Sequence, residues 1–398
     1  MSAANGDALA PPALPVSLAA MRRAACVVVL AGASLSPSTA QATESCESGA
    51  GFELRGGTLR LENDLFAGTD QNYTNGVSAT LVSQDRRPGM SRDCLPGLLR
   101  VQARLIDAVN PGFWAGDPTT TRENVVVKFG QSMYTPEDYA RTDLIENDRP
   151  YAGLLYVGSS WNRRHPLPTP GRDVLDTREV TFGVIGPLSL AEQSQTLVHD
   201  LIGEDRFHGW EHQLENEPAF QVAADRKVRY RSNPSGQSGA WAMDQITTRG
   251  FRFGNIETSA TLSWEGRFGW NLPDDFGTYP IRPGAENRSP MAAGQAESPD
   301  SATFFGGHFF VLLEAKAVGY DFSLDGNLFE DSHSVSRRPL VGQAAIGFAL
   351  HGSLFGRRTK LAVMRVFKTR EFDEQESRHA YGSIALSVDL WSPPNQRD

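Results

Sequence analysis

The stretch "HAYGSIALSVDLW", residues 379–391, alternates from Ser383 to Leu390. Ile384, Leu386, Val388 and Leu390 share one side, and Ser383, Ala385, Ser387 and Asp389 share the other. Successive side chains of a β-strand point to opposite faces, so this segment reads as a strand with an apolar face and a polar one. Its length, about ten residues, is what a tilted strand needs to cross a bilayer.

The same reading extends over the chain. Candidate strands cover 57–66, 74–84, 123–133, 151–161, 178–186, 218–230, about 240–252, 256–269, 306–320, 341–352, 358–368 and 379–391. Alternation and β-branched or aromatic content mark each of them. Twelve is an even number, as a closed antiparallel membrane barrel favours, and long polar loops at 85–122, 162–177 and 270–304 are expected at one end of it. The expected fold is an all-β, twelve-stranded antiparallel transmembrane β-barrel with a short helix in a loop. A soluble β-sandwich shows similar alternation and is the alternative. Residues 283–302 read as a surface loop.

The first 42 residues are expected to be a signal peptide with an N-terminal extension, followed by the barrel over 43–398. Arg22 and Arg23 precede an apolar run from Ala24 to Ala33, and Ala40-Gln41-Ala42 fits a small-x-small cleavage site. Export implies an oxidising compartment, in which Cys46 and Cys94 could pair. The net charge of -9 over 398 residues speaks against nucleic acid as a partner. With a mean hydropathy of -0.35, no apolar run outside the N-terminus is long enough for a membrane helix.

One segment breaks the β pattern. "SLAEQSQTLVHDLIG", residues 189–203, has Leu190, Leu197, Val198, Leu201 and Ile202 at helical spacing. Ser189 and Glu192 have the spacing of a capping box, and Gly203 stands where a C′ glycine would end the helix. His199 lies beside the apolar stripe.

The common catalytic signatures are missing: no G-x-S-x-G, no H-E-x-x-H and no C-x-x-C occurs. Three polar clusters remain. In "LENDLFAGTDQNYTNGVSATLVS", residues 61–83, Asn63 and Asp64 end one strand while Thr74 and Asn75 begin the next. A hairpin would gather them at one rim, where carboxylate and hydroxyl oxygens suit a hard cation, although the same residues are also ordinary turn formers. His199 is the candidate base, against the plainer reading of a packed histidine. His208 and His212 are four apart, but no third metal ligand accompanies them. In "TPEDYARTDLIENDRPYAG", residues 135–153, Arg141 and Arg149 could meet lipid phosphates or could simply hold a solvated loop.

Taken in order, "NDLF…TDQNYTNG", "YTPEDY…NDRPYAG" and "VIGP…H…IGEDRFHGWEHQLENEP" resemble the outer-membrane lipid A 3′-O-deacylase family over about residues 55–391. The resemblance implies a twelve-stranded barrel with its active site near the outer rim, releasing the 3′-acyloxyacyl group of lipid A by Ca²⁺-dependent hydrolysis. It places the family's Asn-Asp pair on Asn63 and Asp64, its threonine on Thr74 and its catalytic histidine on His199. The family's lysine falls on Arg141, and an acidic residue past the helix falls on Asp205 or Glu204, with Asp205 preferred by spacing. Asp64, Thr74 and Asp205 would hold Ca²⁺, Asn63 would bond the oxyanion, and Arg141 or Arg149 would grip lipid phosphate. The expected setting is the outer membrane, with lipopolysaccharide as substrate and a monomeric enzyme. The rival functions are a pore, a structural barrel and an outer-membrane phospholipase.

Overall fold

A computed structural model describes residues 53–64, 72–86, 96–203, 205–232, 241–281, 288–292, 305–376 and 378–390. The expected signal segment, Cys46, Cys94 and Glu204 lie outside these residues, as do most of loop 283–302 and the side chain of Thr74.

Twelve strands follow one another: β1 (Leu54–Asn63), β2 (Asn72–Ser83), β3 (Arg122–Thr135), β4 (Ala152–Pro166), β5 (Arg172–Ile185), β6 (Glu217–Arg231), β7 (Trp241–Gly254), β8 (Glu257–Trp270), β9 (Gly306–Asp321), β10 (Leu340–Leu354), β11 (Arg357–Lys368) and β12 (Ala380–Asp389). Each pairs antiparallel with its neighbours, and β1 pairs with β12 to close the barrel. Every strand expected from alternation is present. Closure leaves no unpaired sheet edge, which is what a sheet in hydrocarbon requires. No helix among the described residues is long and apolar enough to cross a membrane.

The alternation of β12 comes out as read. Ser383 and Ala385 are buried, while Leu386 and Leu390 are exposed. Around the wall, Phe129, Leu155, Val157, Phe182, Leu262 and Leu313 are likewise exposed. They form the apolar outer band of a membrane barrel.

Both β4 and β5 run further than expected. Residues 162–177, read as a long loop, are strand except for a turn at 167–171. Polar residues on both faces hid the extension. Asn162 and Arg164 face inward and bond to Arg288 and Asp274, while Arg163 faces outward and pairs with Glu123. Long connections also occur at both ends. Residues 84–121 and 271–305 lie at the end where β1 begins and β12 finishes, here the terminal end, and 136–151, 186–216 and 322–339 lie at the opposite, distal end.

Connection 84–121 contains a helix that the sequence reading missed, α1 (Gly97–Val109). The expected loop helix is α2 (Ala191–Ile202). It begins later than the capping box requires. Ser189 belongs to a preceding 3₁₀ turn, Leu190 has φ 59°, and the Ser189 hydroxyl makes no hydrogen bond among the described residues. Gly203 ends the helix as expected, at φ 81°, donating its N–H to the His199 carbonyl at 2.8 Å. A short α3 (Phe322–Asp325) opens the β9–β10 connection. Residues 193–206 group as a compact unit separate from the barrel.

The barrel interior is filled from the terminal end. Residues 271–281 turn inward, and Phe276 and Tyr279 are fully buried there. The Asp274 carboxylate receives Arg164 at 2.7 and 2.8 Å and Arg229 at 2.8 Å. Lys360 bonds Asp275 at 2.6 Å, and the Tyr279 and Thr248 hydroxyls lie 2.6 Å apart. The segment reaches as far as Glu62 on β1, whose carboxylate accepts the Ile281 N–H at 2.6 Å. Asp274 is thus the counter-ion of two arginines buried in the wall. Asp274→Ala should cost about 1.5–3 kcal/mol, because Arg164 and Arg229 would each lose one charged hydrogen-bond partner while keeping Asp173 and Asp244. A lower temperature for the heat-induced shift of the folded barrel on gels would show it, and an unchanged temperature would contradict it.

Candidate active site

The pairing of β1 with β2 sets the geometry of the distal rim. On β1, Arg60 and Glu62 point inward, since Arg60 bonds the Tyr279 carbonyl and Glu62 bonds Ile281. By the two-residue period, Leu59, Leu61 and Asn63 face the outside of the barrel. Asn63 lies opposite Asn75 on β2, and Asn75 lies opposite Met133 on β3. Directly opposed residues share a face and sit about 4.5–5.5 Å apart at Cβ. Two asparagines therefore stand side by side on the outer wall, at the height where the apolar band gives way to loops.

Both are only 7% exposed, and Asp64, the next residue, is fully buried. The Asn75 Oδ1 is buried with no hydrogen-bond partner among the described residues. Buried amide oxygens nearly always have a partner, so this acceptor is poised for one. The sequence reading placed Asn75 at the strand start but gave it no role. The available signal was its register with Asn63, which only the pairing reveals.

The row continues to Gly153 on β4, opposite Met133. Here glycine is required by close approach: a Cβ on Gly153 would lie 2.5 Å from the Ala191 Cβ and would also collide with the Ser189 hydroxyl. The first residue of α2 thus rests on the outer wall. Met133, Tyr151, Ala191, Phe207 and Trp210 form one apolar cluster beside it, with the Tyr151 and Trp210 rings 5.1 Å apart. Gln131 adds a hydrogen bond to the Ser189 carbonyl at 2.7 Å.

Within the helical unit, His199 is 3% exposed. Its Nδ1 lies 2.5 Å from the Asp205 backbone carbonyl. A carbonyl only accepts, so Nδ1 carries the proton and Nε2 is the basic nitrogen. Asp205 takes part through its backbone, while its side chain is exposed. Asp200 and Arg206 form a two-pronged ion pair at 2.7 and 2.7 Å across the same turn.

The two arginines separate. Arg141 is exposed and grips Asp143, its Nε 3.0 Å from Oδ1. Arg149 is 1% exposed, bonds Glu371 at 3.1 Å and lies 5.6 Å over both the Tyr134 and Phe372 rings. It is an interior counter-ion, out of reach of a lipid phosphate. His212 bonds the Thr142 carbonyl at 3.1 Å, and His208 is exposed, so these two form no pair. Among the described residues, no cluster of three or more His, Cys, Asp or Glu could hold a metal. A cation at the rim would rest on the single carboxylate of Asp64 plus amide and backbone oxygens. Calcium accepts such a donor set, and the orphaned Asn75 oxygen is of the right kind.

A closed barrel of twelve strands with an apolar outer band and a filled interior is an outer-membrane barrel. The chain belongs to the LpxR outer membrane protein family, whose model, "Outer membrane protein LpxR", matches residues 25–390. LpxR from Salmonella typhimurium has a similar structure, with a TM-score of 0.59 at 14% identity, covering 84% of this chain and all of that one. At that identity the likeness speaks for the fold. The translocator domain of the autotransporter NalP from Neisseria meningitidis matches at a TM-score of 0.33 and 8% identity over 86% of this chain and 88% of its own. No curated protein matches the sequence.

Two predictions follow from the rim. Gly153→Leu would lift Ser189 and Ala191 off the wall at a cost of about 1–3 kcal/mol, typical of overpacking. Limited proteolysis within 187–192 should accelerate while the barrel keeps its folded gel mobility; unchanged cleavage would contradict the close approach. The second concerns acid. Burial lowers His379, helped by Lys368, to about 3 from an ordinary 6.5. Burial alone would raise Glu371, but Lys368 and Arg149 outweigh it and hold the carboxyl below its ordinary 4.5. Both folded values lie below the unfolded ones, so the stability they contribute is lost as pH falls. The unfolding temperature should decline below pH 6.5 through His379, and again below 4.5 through Glu371. His379→Gln should lessen the first decline and keep the second.

Proposed function

We propose that this chain is a carboxylic ester hydrolase that removes the 3′-acyloxyacyl group of lipid A at the outer membrane. The observation that carries the reading is the hydrogen bond from His199 Nδ1 to the Asp205 carbonyl, which sets the tautomer of the ring. Family membership and the outward-facing Asn63–Asn75 pair support it. A lipid substrate keeps its acyl chains in the membrane, so polar groups on the outer wall meet its ester without any passage through the interior. Residues 271–281, held inside the barrel by Asp274 and Asp275, give no support to a pore.

In this mechanism His199 Nε2 takes a proton from water as the water oxygen attacks the ester carbonyl carbon. On the barrel, Asn63 is assigned to the oxyanion by the family resemblance alone, an interaction worth several kcal/mol in other hydrolases. The bond from the acyl carbon to the sugar 3′ oxygen then breaks, and His199 returns the proton to that oxygen. Asp64, the Asn75 amide oxygen and Thr74 would hold Ca²⁺, which when bound supplies Lewis-acid polarisation of the carbonyl. Arg141 is the exposed cation for a lipid A phosphate.

Mass spectrometry of lipid A from cells expressing the protein tests this. Wild type should release the acyloxyacyl group and chelation should stop the release. His199→Ala should lower it by about 10²–10⁴-fold, the usual contribution of a general base. Intact lipid A in cells with folded, membrane-inserted wild type would refute the activity, and full activity in His199→Ala would refute the base.

A further inference from the structure

The terminal half of the β3–β5 outer wall is polar. Ser159, Trp161 and Arg163 lie on the same strand face as Leu155 and Val157, which belong to the lipid-facing band. Neighbouring strands add Glu123 and Arg178. A hydroxyl, a carboxylate and two guanidinium groups on a lipid-facing wall would be expensive to leave there. They are covered. Gln102 of α1 donates to the Ser159 carbonyl at 2.8 Å and accepts from its hydroxyl at 2.7 Å. Leu99, Ala103 and Phe113 pack on Val125 and Trp161, and the Phe113 ring lies 4.9 Å under the Arg178 guanidinium. Arg163 is closed off by Glu123 at 2.7 Å and by the Ala115 carbonyl at 3.0 Å.

The helix that does this leaves a second apolar stripe uncovered. Leu98, Val101, Leu105 and Val109 are 61%, 52%, 55% and 84% exposed. With 3.6 residues per turn they fall within about 80° of arc. This stripe adjoins the face on the wall, while Arg100, Arg104 and Asp107 occupy the remaining side. Three faces of one helix thus serve three surroundings: barrel, apolar medium and water.

We propose that α1 is a lipid-interface helix: it lies flat on the outer wall in the leaflet at the terminal end and presents Leu98, Val101, Leu105 and Val109 to glycerophospholipid acyl chains. The occupant is argued from continuity. Gln102, the wall contact nearest the stripe in helical angle, sits on Ser159, two residues along β4 from Val157, so the stripe is on the side of the exposed band of Leu155, Val157 and Phe182, which faces lipid in an outer-membrane barrel. Elsewhere at this end Trp241 and Trp270, 6.2 Å apart, stand outward as an aromatic girdle does. The inference stands apart from the proposed hydrolysis.

The test places the photoreactive residue p-benzoylphenylalanine, singly, at Leu105, Val157 or Asp107 in the full chain. Each variant is reconstituted into phosphatidylethanolamine–phosphatidylglycerol vesicles, and its folding is verified by gel mobility. After illumination, mass spectrometry should find a phospholipid adduct at 105 with a yield matching that at 157, and none at 107. Lipid adducts at 157 with none at 105 would overturn the proposal, as would a crosslink from 105 to a second copy of the chain. All three positions are exposed side chains, and failure of one to fold leaves Val101, on the same stripe, to be read in the same way.

Discussion

The pairing of β1 with β12 is the constraint from which the rest of the molecule follows. Gly56 through Asn63 align with Asp389 through Gly382, and this ladder satisfies the last two free strand edges. In hydrocarbon an unpaired backbone group costs several kcal/mol, so an open sheet is not an option. Once the circle closes, every strand residue is either inside or outside. The in–out assignment of Asn63 is therefore a consequence of closure and register, as is the inward position of Glu62 beside it.

Closure creates a second problem, an interior lined with charge. Lys128 and Glu179 lie 2.7 Å apart, and Arg267 and Asp244 lie 2.6 Å apart, all four deeply buried. Such pairs offset their desolvation only when geometry and further hydrogen bonds are good. The inward segment 271–281 helps to meet that condition, bringing Asp274 to Arg164 and Arg229, and Asp275 to Lys360. Filling the interior moves the useful surface to the outer wall. There the Asn63–Asn75 pair, Gly153 and the start of α2 form a rim at the distal end, while α1 covers the polar sector near the terminal end.

Much of this was legible from the residues. The period-2 pattern disclosed all twelve strands because each lies between two different solvents. It understated β4 and β5, where Asn162, Arg163 and Arg164 look like loop residues. The charge of Arg164 is neutralised by Asp274 and Asp173 inside and that of Arg163 by Glu123 outside, partners on other segments of the chain. The helix α1 went unread because "GLLRVQARLIDAV" is short and sits in a long polar connection. Its apolar residues serve two faces, so the stripe looks diffuse until the wall is in place.

The sequence by itself determined the chemistry on offer: Asn63, Asp64, Thr74 and Asn75 near a hairpin and, separately, His199 on a helix ended by Gly203. These are local facts, set by strand period, turn residues and capping. The tertiary structure alone decided what could use them. It turned Arg149 inward onto Glu371, left Arg141 exposed, and gave Asp205 a role through its carbonyl instead of its carboxylate. It also matched Asn63 to Asn75 and made a glycine necessary at 153. Burial and cross-strand register depend on the closure of the whole barrel, and no local stretch of sequence contains that information.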